Sequence, residues 1–122
     1  MASTSTQHSA ALALQGMDLL ASGQAADAAK VFREAIAADA TNYDAHHGLV
    51  RALRDAGQIE QSIAAALALT ALTPNDPLAH TALSISLQQA GHVPEAEAAA
   101  ARARILEWKI QLQSPPGSEP SL

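Results

Sequence analysis

The chain has 122 residues, a formal net charge of −5, no cysteine, and a single Trp, Tyr and Phe. Without cysteine there is no disulfide framework, thiol nucleophile or Cys-ligated zinc site, and without a basic stripe nucleic acid is excluded as the expected partner. Alanine makes up about a quarter of the residues, which favours helix and close helix packing over a core of large side chains.

Residues 1–8 (MASTSTQH) are polar and lack an apolar period, so they are expected to be a disordered N-terminus. Helices are expected at about 9–22, 25–39, 43–56, 59–72, 77–90 and 94–112. Between the members of each pair stand ASGQ, DAGQ and QAGH, whose glycines are Gly23, Gly57 and Gly91. Their spacing repeats, 57 − 23 = 34 and 91 − 57 = 34, and a period of about 34 residues is a signature of stacked helix–turn–helix units. Glycine suits a turn that leaves a helix through positive φ. Asn42 and Asp76 are expected N-caps, and Pro77 and Pro94 suit a first helical turn. Residues 114–122 (SPPGSEPSL) are Pro/Ser-rich and are expected to be a disordered C-terminal tail.

With the frame set at 9–42, 43–76 and 77–110, other columns fall into register. Ala11, Ala45 and Ala79 coincide, as do Leu19, Leu53 and Leu87. Ala28, Ser62 and Ala96 form a small-residue column, Phe32, Ala66 and Ala100 another, and Ala35, Leu69 and Ala103 a third. Small residues at a crossing let two helices approach closer than the usual 8–10 Å between axes. Each hairpin buries its apolar face only against its neighbours, so 9–113 is expected to fold as one all-α domain, a helix-turn-helix solenoid.

These columns resemble the tetratricopeptide repeat family over residues 9–110. Gly16, Leu19, Gly23, Ala28, Phe32 and Ala35 carry the pattern in the first repeat. Leu49, Leu53, Gly57, Ala66 and Pro74 carry it in the second, and Leu83, Leu87, Gly91, Ala96 and Ala103 in the third. The sequence departs from it at Leu12, His46 and His80, where Trp is usual, at Val50 and Ser84 in the next column, and at Gln15, where an apolar residue is usual. The resemblance implies a right-handed superhelix of six helices, with a concave groove lined by the first helix of each pair. It also implies that the carboxylate clamp of heat-shock chaperone adaptors is missing, since Ala13, Met17, Gly48, Leu78 and Ala82 occupy its positions.

On that geometry the groove receives Leu14 and Met17 from the first repeat, His47, Arg51 and Arg54 from the second, and Leu78, Ile85 and Gln88 from the third. Arg51 and Arg54 stand three apart on one helical face and suit a carboxylate, unless they are solvated or paired with Asp44 and Asp55. The expected function is a non-catalytic protein–protein interaction module, binding a peptide or helix with apolar and acidic groups in the groove. No cofactor, metal or catalytic residues are expected. His46, His47 and His80 lack a third ligand and second shell for zinc and are read as packing residues, and no phosphate loop or Ser-His-Asp set is present. No run reaches the roughly 20 apolar residues of a membrane span, and no Lys or Arg precedes Lys30 to make a signal n-region. A cytoplasmic protein is expected.

The last helix continues through ILEWKIQLQ beyond the point where the repeat would end it, near Leu106. Trp108 either folds back as a cap or anchors a contact. The alternative function is therefore a self-assembling structural subunit, a homo-oligomer through this C-terminal helix.

Overall fold

The computed structural model describes residues 4–113. They form six helices and no strand: α1 (Thr4–Ala21), α2 (Ala25–Ala38), α3 (Tyr43–Asp55), α4 (Ile59–Leu72), α5 (Pro77–Gln89) and α6 (Val93–Gln113). Each packs on the next in the chain; α1 also touches α3, and α3 touches α5. Among the described residues α2, α4 and α6 make no such contacts with one another. The first helices of the three hairpins are thus gathered on the inside of the curve, and the second helices fan out on the outside.

The hairpin turns follow from glycine. Gly23, Gly57 and Gly91 have φ of +82°, +79° and +83° and are the described positive-φ residues. After each of them the chain closes a double hydrogen bond onto the helix it has left. Gln24 N–H reaches Leu19 O at 2.9 Å and Gly23 N–H reaches Leu20 O at 3.1 Å, with the same pair at Gln58–Leu53 and Gly57–Arg54, and at His92–Leu87 and Gly91–Gln88. This Schellman closure satisfies carbonyls that the helix end orphans.

The turns between hairpins are held differently. Asn42 Oδ1 accepts from Ala45 N–H at 3.1 Å, and Asp76 Oδ1 accepts from Leu78 N–H at 3.0 Å. The same side chains reach back one repeat. Asn42 Nδ2 donates to Ser9 Oγ at 2.8 Å, while Ser9 donates to Ala35 O at 2.7 Å. The Tyr43 hydroxyl donates to Asp76 Oδ2. Ser9 and Tyr43 share a column, as do Asn42 and Asp76, so the same staple, from the first residue of a repeat to the N-cap of the next hairpin, occurs twice in different chemistry.

Two buried clusters make the core. Ala13, Ala28, Phe32, Ala35, Ala45 and Leu53 belong to the first, and Val50, Ala66, Leu69 and Ala79 to the second. Phe32 is wholly buried against two glycines: a Cβ on Gly16 would lie 2.8 Å from its ring, and one on Gly48 2.3 Å.

Most helix ends fall within a residue of expectation. The exception is α1, which begins at Thr4, so the expected disorder of 1–8 is corrected for Thr4–His8. No Gly or Pro stands between 4 and 9, and a helix anchored at buried Ser9 propagates backward at low cost once nucleated. Residues 1–3 and the expected disordered tail 114–122 lie outside the described residues. The extended last helix is present, reaching Gln113. Its Trp108 does not cap the fold: the side chain stays 64% exposed, because it faces away from the Ala96, Ala99, Ala103 and Leu106 face that packs inward.

Candidate peptide-binding groove

The inner face of the curve is built from four columns that recur every 34 residues. On α1 they hold Ala10, Leu14, Met17 and Ala21; on α3, Asp44, Gly48, Arg51 and Asp55; on α5, Leu78, Ala82, Ile85 and Gln89. The i, i+4, i+7, i+11 spacing keeps each set on one helical face. Leu14 (64%) and Met17 are exposed on α1, as are Leu78 (58%) and Ile85 on α5. Leu14 and Leu78 leave most of their surface uncovered, and Met17 and Ile85 about two fifths of theirs. Between the two apolar strips, α3 presents the charges of Asp44, Arg51 and Asp55, with Gly48 packed on the Phe32 ring.

Arg51 and Arg54 behave differently. Arg51 is exposed and its Nε donates to Asp55 Oδ2 at 3.4 Å, one helical turn away. Such a surface pair contributes little. Arg54 sits one column deeper, half-buried, and its Nη1 is buried with no hydrogen-bond partner. Burial, and then the like charge of Arg51, lower its pKa from the ordinary guanidinium value, while Asp55 opposes them. A buried N–H without an acceptor is costly.

His47 lies one column deeper in the same way and shares this condition. Its Nε2 is buried without a partner, and its ring leans on Tyr43 with centroids 4.4 Å apart. Burial pushes its pKa below the usual imidazole value, against smaller opposing pulls from Asp76 and Asp44. The imidazole is therefore neutral at pH 7. His47 and Arg54 are seven apart and lie on one face of α3, so the middle of the groove holds two polar nitrogens that no group among the described residues satisfies.

The other site residues sort plainly. Gln88 is exposed on α5 in the column of Arg54. Trp108 is on the outer side of α6 and takes no part in the groove. His46 and His80 are not space-fillers alone: each tethers the preceding loop, with Nε2 2.8 Å from Ala40 O and 2.9 Å from Pro74 O. Among the described residues no group of three His, Cys, Asp or Glu is placed to hold a metal ion. Nor is any described helix long and apolar enough to cross a membrane. The unsatisfied state of the His47 and Arg54 nitrogens was not foreseen, since it depends on which columns face one another.

The tetratricopeptide repeat profile matches residues 19–85, more than half of the chain. The protein belongs to the tetratricopeptide repeat family. Its hairpins superpose on solved structures of that shape. MamA (MSR-1) gives a TM-score of 0.76 at 21% identity over 81% of this chain and 57% of that one, so the chain spans less than two thirds of MamA. The Yersinia enterocolitica type III secretion chaperone SycD, solved in complex with a peptide of the translocator YopD, gives 0.73 at 24% identity, covering 83% and 81%. The second tetratricopeptide domain of Spaghetti (RPAP3), bound to the HSP90 peptide SRMEEVD, gives 0.77 at 17% identity, covering 83% and 94%. At these identities the likeness is one of fold. Among curated protein sequences none matches.

Proposed function

We propose that this tetratricopeptide domain is a non-catalytic interaction module whose inner groove binds an extended peptide of a partner protein. The observation that carries the reading is the arrangement across α1, α3 and α5. Exposed Leu14 and Met17, then the Arg54 and His47 nitrogens without partners, then exposed Leu78 and Ile85 follow in sequence. Each apolar strip lacks only an apolar side chain, and the centre lacks an acceptor. A carboxylate is the acceptor that a guanidinium fork matches best. Neighbouring helix axes stand about 8–10 Å apart and an extended strand rises about 3.3 Å per residue. The ligand therefore carries an acidic residue with an apolar residue about three positions to either side. Two of the similar folds hold peptides in their solved structures, which supports the use of this scaffold for the same purpose.

Selection from a random 12-residue phage-displayed library tests the reading. Wild-type protein is expected to enrich peptides with a Glu or Asp flanked at that spacing by Leu, Ile, Met or Phe. The Arg51→Glu/Arg54→Glu variant is expected to bind them at least about tenfold more weakly, which corresponds to about 1.4 kcal/mol. Enrichment of peptides without an acid, or affinity unaltered by the charge reversal, would overturn it.

A further inference from the structure

His47, Arg51 and Arg54 stand four and three residues apart. They follow one another along one face of α3, with His47 one turn from Arg51. The imidazole is fixed where it stands. It leans on the Tyr43 ring, whose hydroxyl donates to Asp76 at the cap of α5. Its Nε2 is buried and has no partner among the described residues. A neutral ring can leave a lone pair at that nitrogen, but in the imidazolium both ring nitrogens are donors. Protonation therefore creates a buried N–H in need of an acceptor.

The charges around the ring show where that acceptor comes from. Asp76, in the turn before α5, and Asp44, on α3, draw a proton toward it, while His46 on α3 opposes them. The other helices packed on α3 are α1, α2 and α4, and none of their described residues adds a charge to the ring. Tyr43 is raised to about 12 and stays an uncharged phenol. Asp55 lies two turns away and engages Arg51. Burial outweighs both neighbouring carboxylates and keeps the ring neutral. The inner columns of α1 and α5 hold Ala10, Leu14, Met17 and Ala21, and Leu78, Ala82, Ile85 and Gln89, so they bring no acid to it. The missing negative charge is one that a ligand supplies.

We propose that the groove binds its acidic peptide together with a proton taken up from solvent at His47, so that affinity rises as pH falls from 7.5 to 5.5. This rests on the reading of the groove as a peptide site. A carboxylate held by Arg51 and Arg54 arrives one turn from the ring, and an opposite charge at that range favours the imidazolium. A group whose pKa is higher in the complex than in the free protein takes up a proton on binding. Affinity then grows with acidification until the free protein is itself protonated. The peptide's own acid, ordinarily near about 4.3 for Glu, stays ionised throughout this range.

The test is titration calorimetry of the full chain with the tightest acidic peptide from the library and with its Gln counterpart, at pH 7.5, 6.5 and 5.5. A further pair of titrations at pH 6, in MES and in imidazole, reads proton uptake from the difference in buffer ionisation enthalpy. The acidic peptide is expected to bind at least about threefold more tightly at pH 5.5 than at 7.5, with proton uptake. Both effects are expected to vanish with the Gln counterpart and in His47→Gln, and to persist in His46→Gln. Should His47→Gln not fold, the His47 Cε1–H resonance of the wild-type protein replaces it, and the peptide is expected to move its titration midpoint to higher pH. Binding that Arg51→Glu/Arg54→Glu weakens but that ignores pH overturns the proposal and leaves the peptide site standing. So does a pH dependence that survives in His47→Gln, or a His47 midpoint that the peptide does not move. Binding that ignores the charge reversal as well overturns both.

Discussion

The junction between the first and second hairpins and the junction between the second and third occupy equivalent places and are filled in opposite ways. At the first, one large ring, Phe32, is pressed between two glycines, Gly16 and Gly48. At the second the same three columns hold Val50, Ala66 and Ala82, with Val50 and Ala66 buried and Ala82 packed alongside. Volume moves from the second helix of a pair to the first without leaving the site. The columns therefore specify a sum of volumes at close packing, not a residue at each position. The staples differ in the same spirit: Ser9–Asn42 at the first junction has no titratable group, while Tyr43–Asp76 at the second has two and carries His47 beside it.

The largest expected effect lies at the ring. Phe32→Ala empties the first junction and is expected to cost about 3–5 kcal/mol in urea unfolding. Transplanting the second junction's composition, Gly16→Val/Phe32→Ala/Gly48→Ala, is expected to restore at least about half of that loss. A triple variant no more stable than Phe32→Ala would break the idea of exchangeable volume.

Gly48→Ala alone places a Cβ 2.3 Å from the ring and is expected to cost about 1–3 kcal/mol through overpacking. Ala66→Phe, which puts a ring where Val50 already fills the site, is expected to do the same. Asn42→Ala removes both an N-cap and the bond to Ser9, for a loss of about 1 kcal/mol.

The smallest effects are those of pH, and they sharpen the contrast because the shifted groups beside a staple, Tyr43 and His47, lie at the second junction, whereas the shifted group in the first is the exposed loop residue Asp39, lowered by its bonds from Thr41. His47 has a lowered folded pKa, so the unfolded chain takes up the proton first on acidification. Stability is present above about pH 6.5 and falls as pH drops below it, a slope that His47→Gln is expected to reduce. Tyr43 is raised from 10.0 to about 12, chiefly by burial and then by Asp76. The unfolded phenol ionises first, so its contribution is present below pH 10 and lost between 10 and about 12. Chemical denaturation at pH 7.5, 5.5 and 11 with Tyr43→Phe as the reference reads both.

Much of the fold was legible because it is written three times. One glycine in a turn is weak, but three at a 34-residue step, each followed by a small-residue column, leave few architectures. The groove's apolar strips were legible for the same reason, since Leu14, Met17, Leu78 and Ile85 interrupt otherwise polar or small inner faces. What escaped was contact between columns. That Phe32 demands glycine at both 16 and 48 depends on three residues meeting in space, and no periodicity announces it. The tethers from His46 and His80 to loop carbonyls look in sequence like substitutions of an aromatic column. The start of α1 was missed because composition reads Thr4–His8 as polar, whereas helix propagation needs only the absence of a breaker. Trp108 allowed two orientations on the sequence, and the direction in which the packed face of α6 points decides between them.

The central claim is that the inner face of α1, α3 and α5 is a peptide site centred on the unpartnered Arg54 and His47 nitrogens. Its most direct measurement is amide chemical-shift mapping of the 15N-labelled protein on titration with a library-selected peptide. The account predicts saturating shifts at Leu14, Met17, Gly48, Arg54, Leu78 and Ile85, with those of α2 and α4 unmoved, and their loss when the peptide's acid is changed to its amide. Shifts confined to the outer helices, or undiminished by the amide, would contradict it.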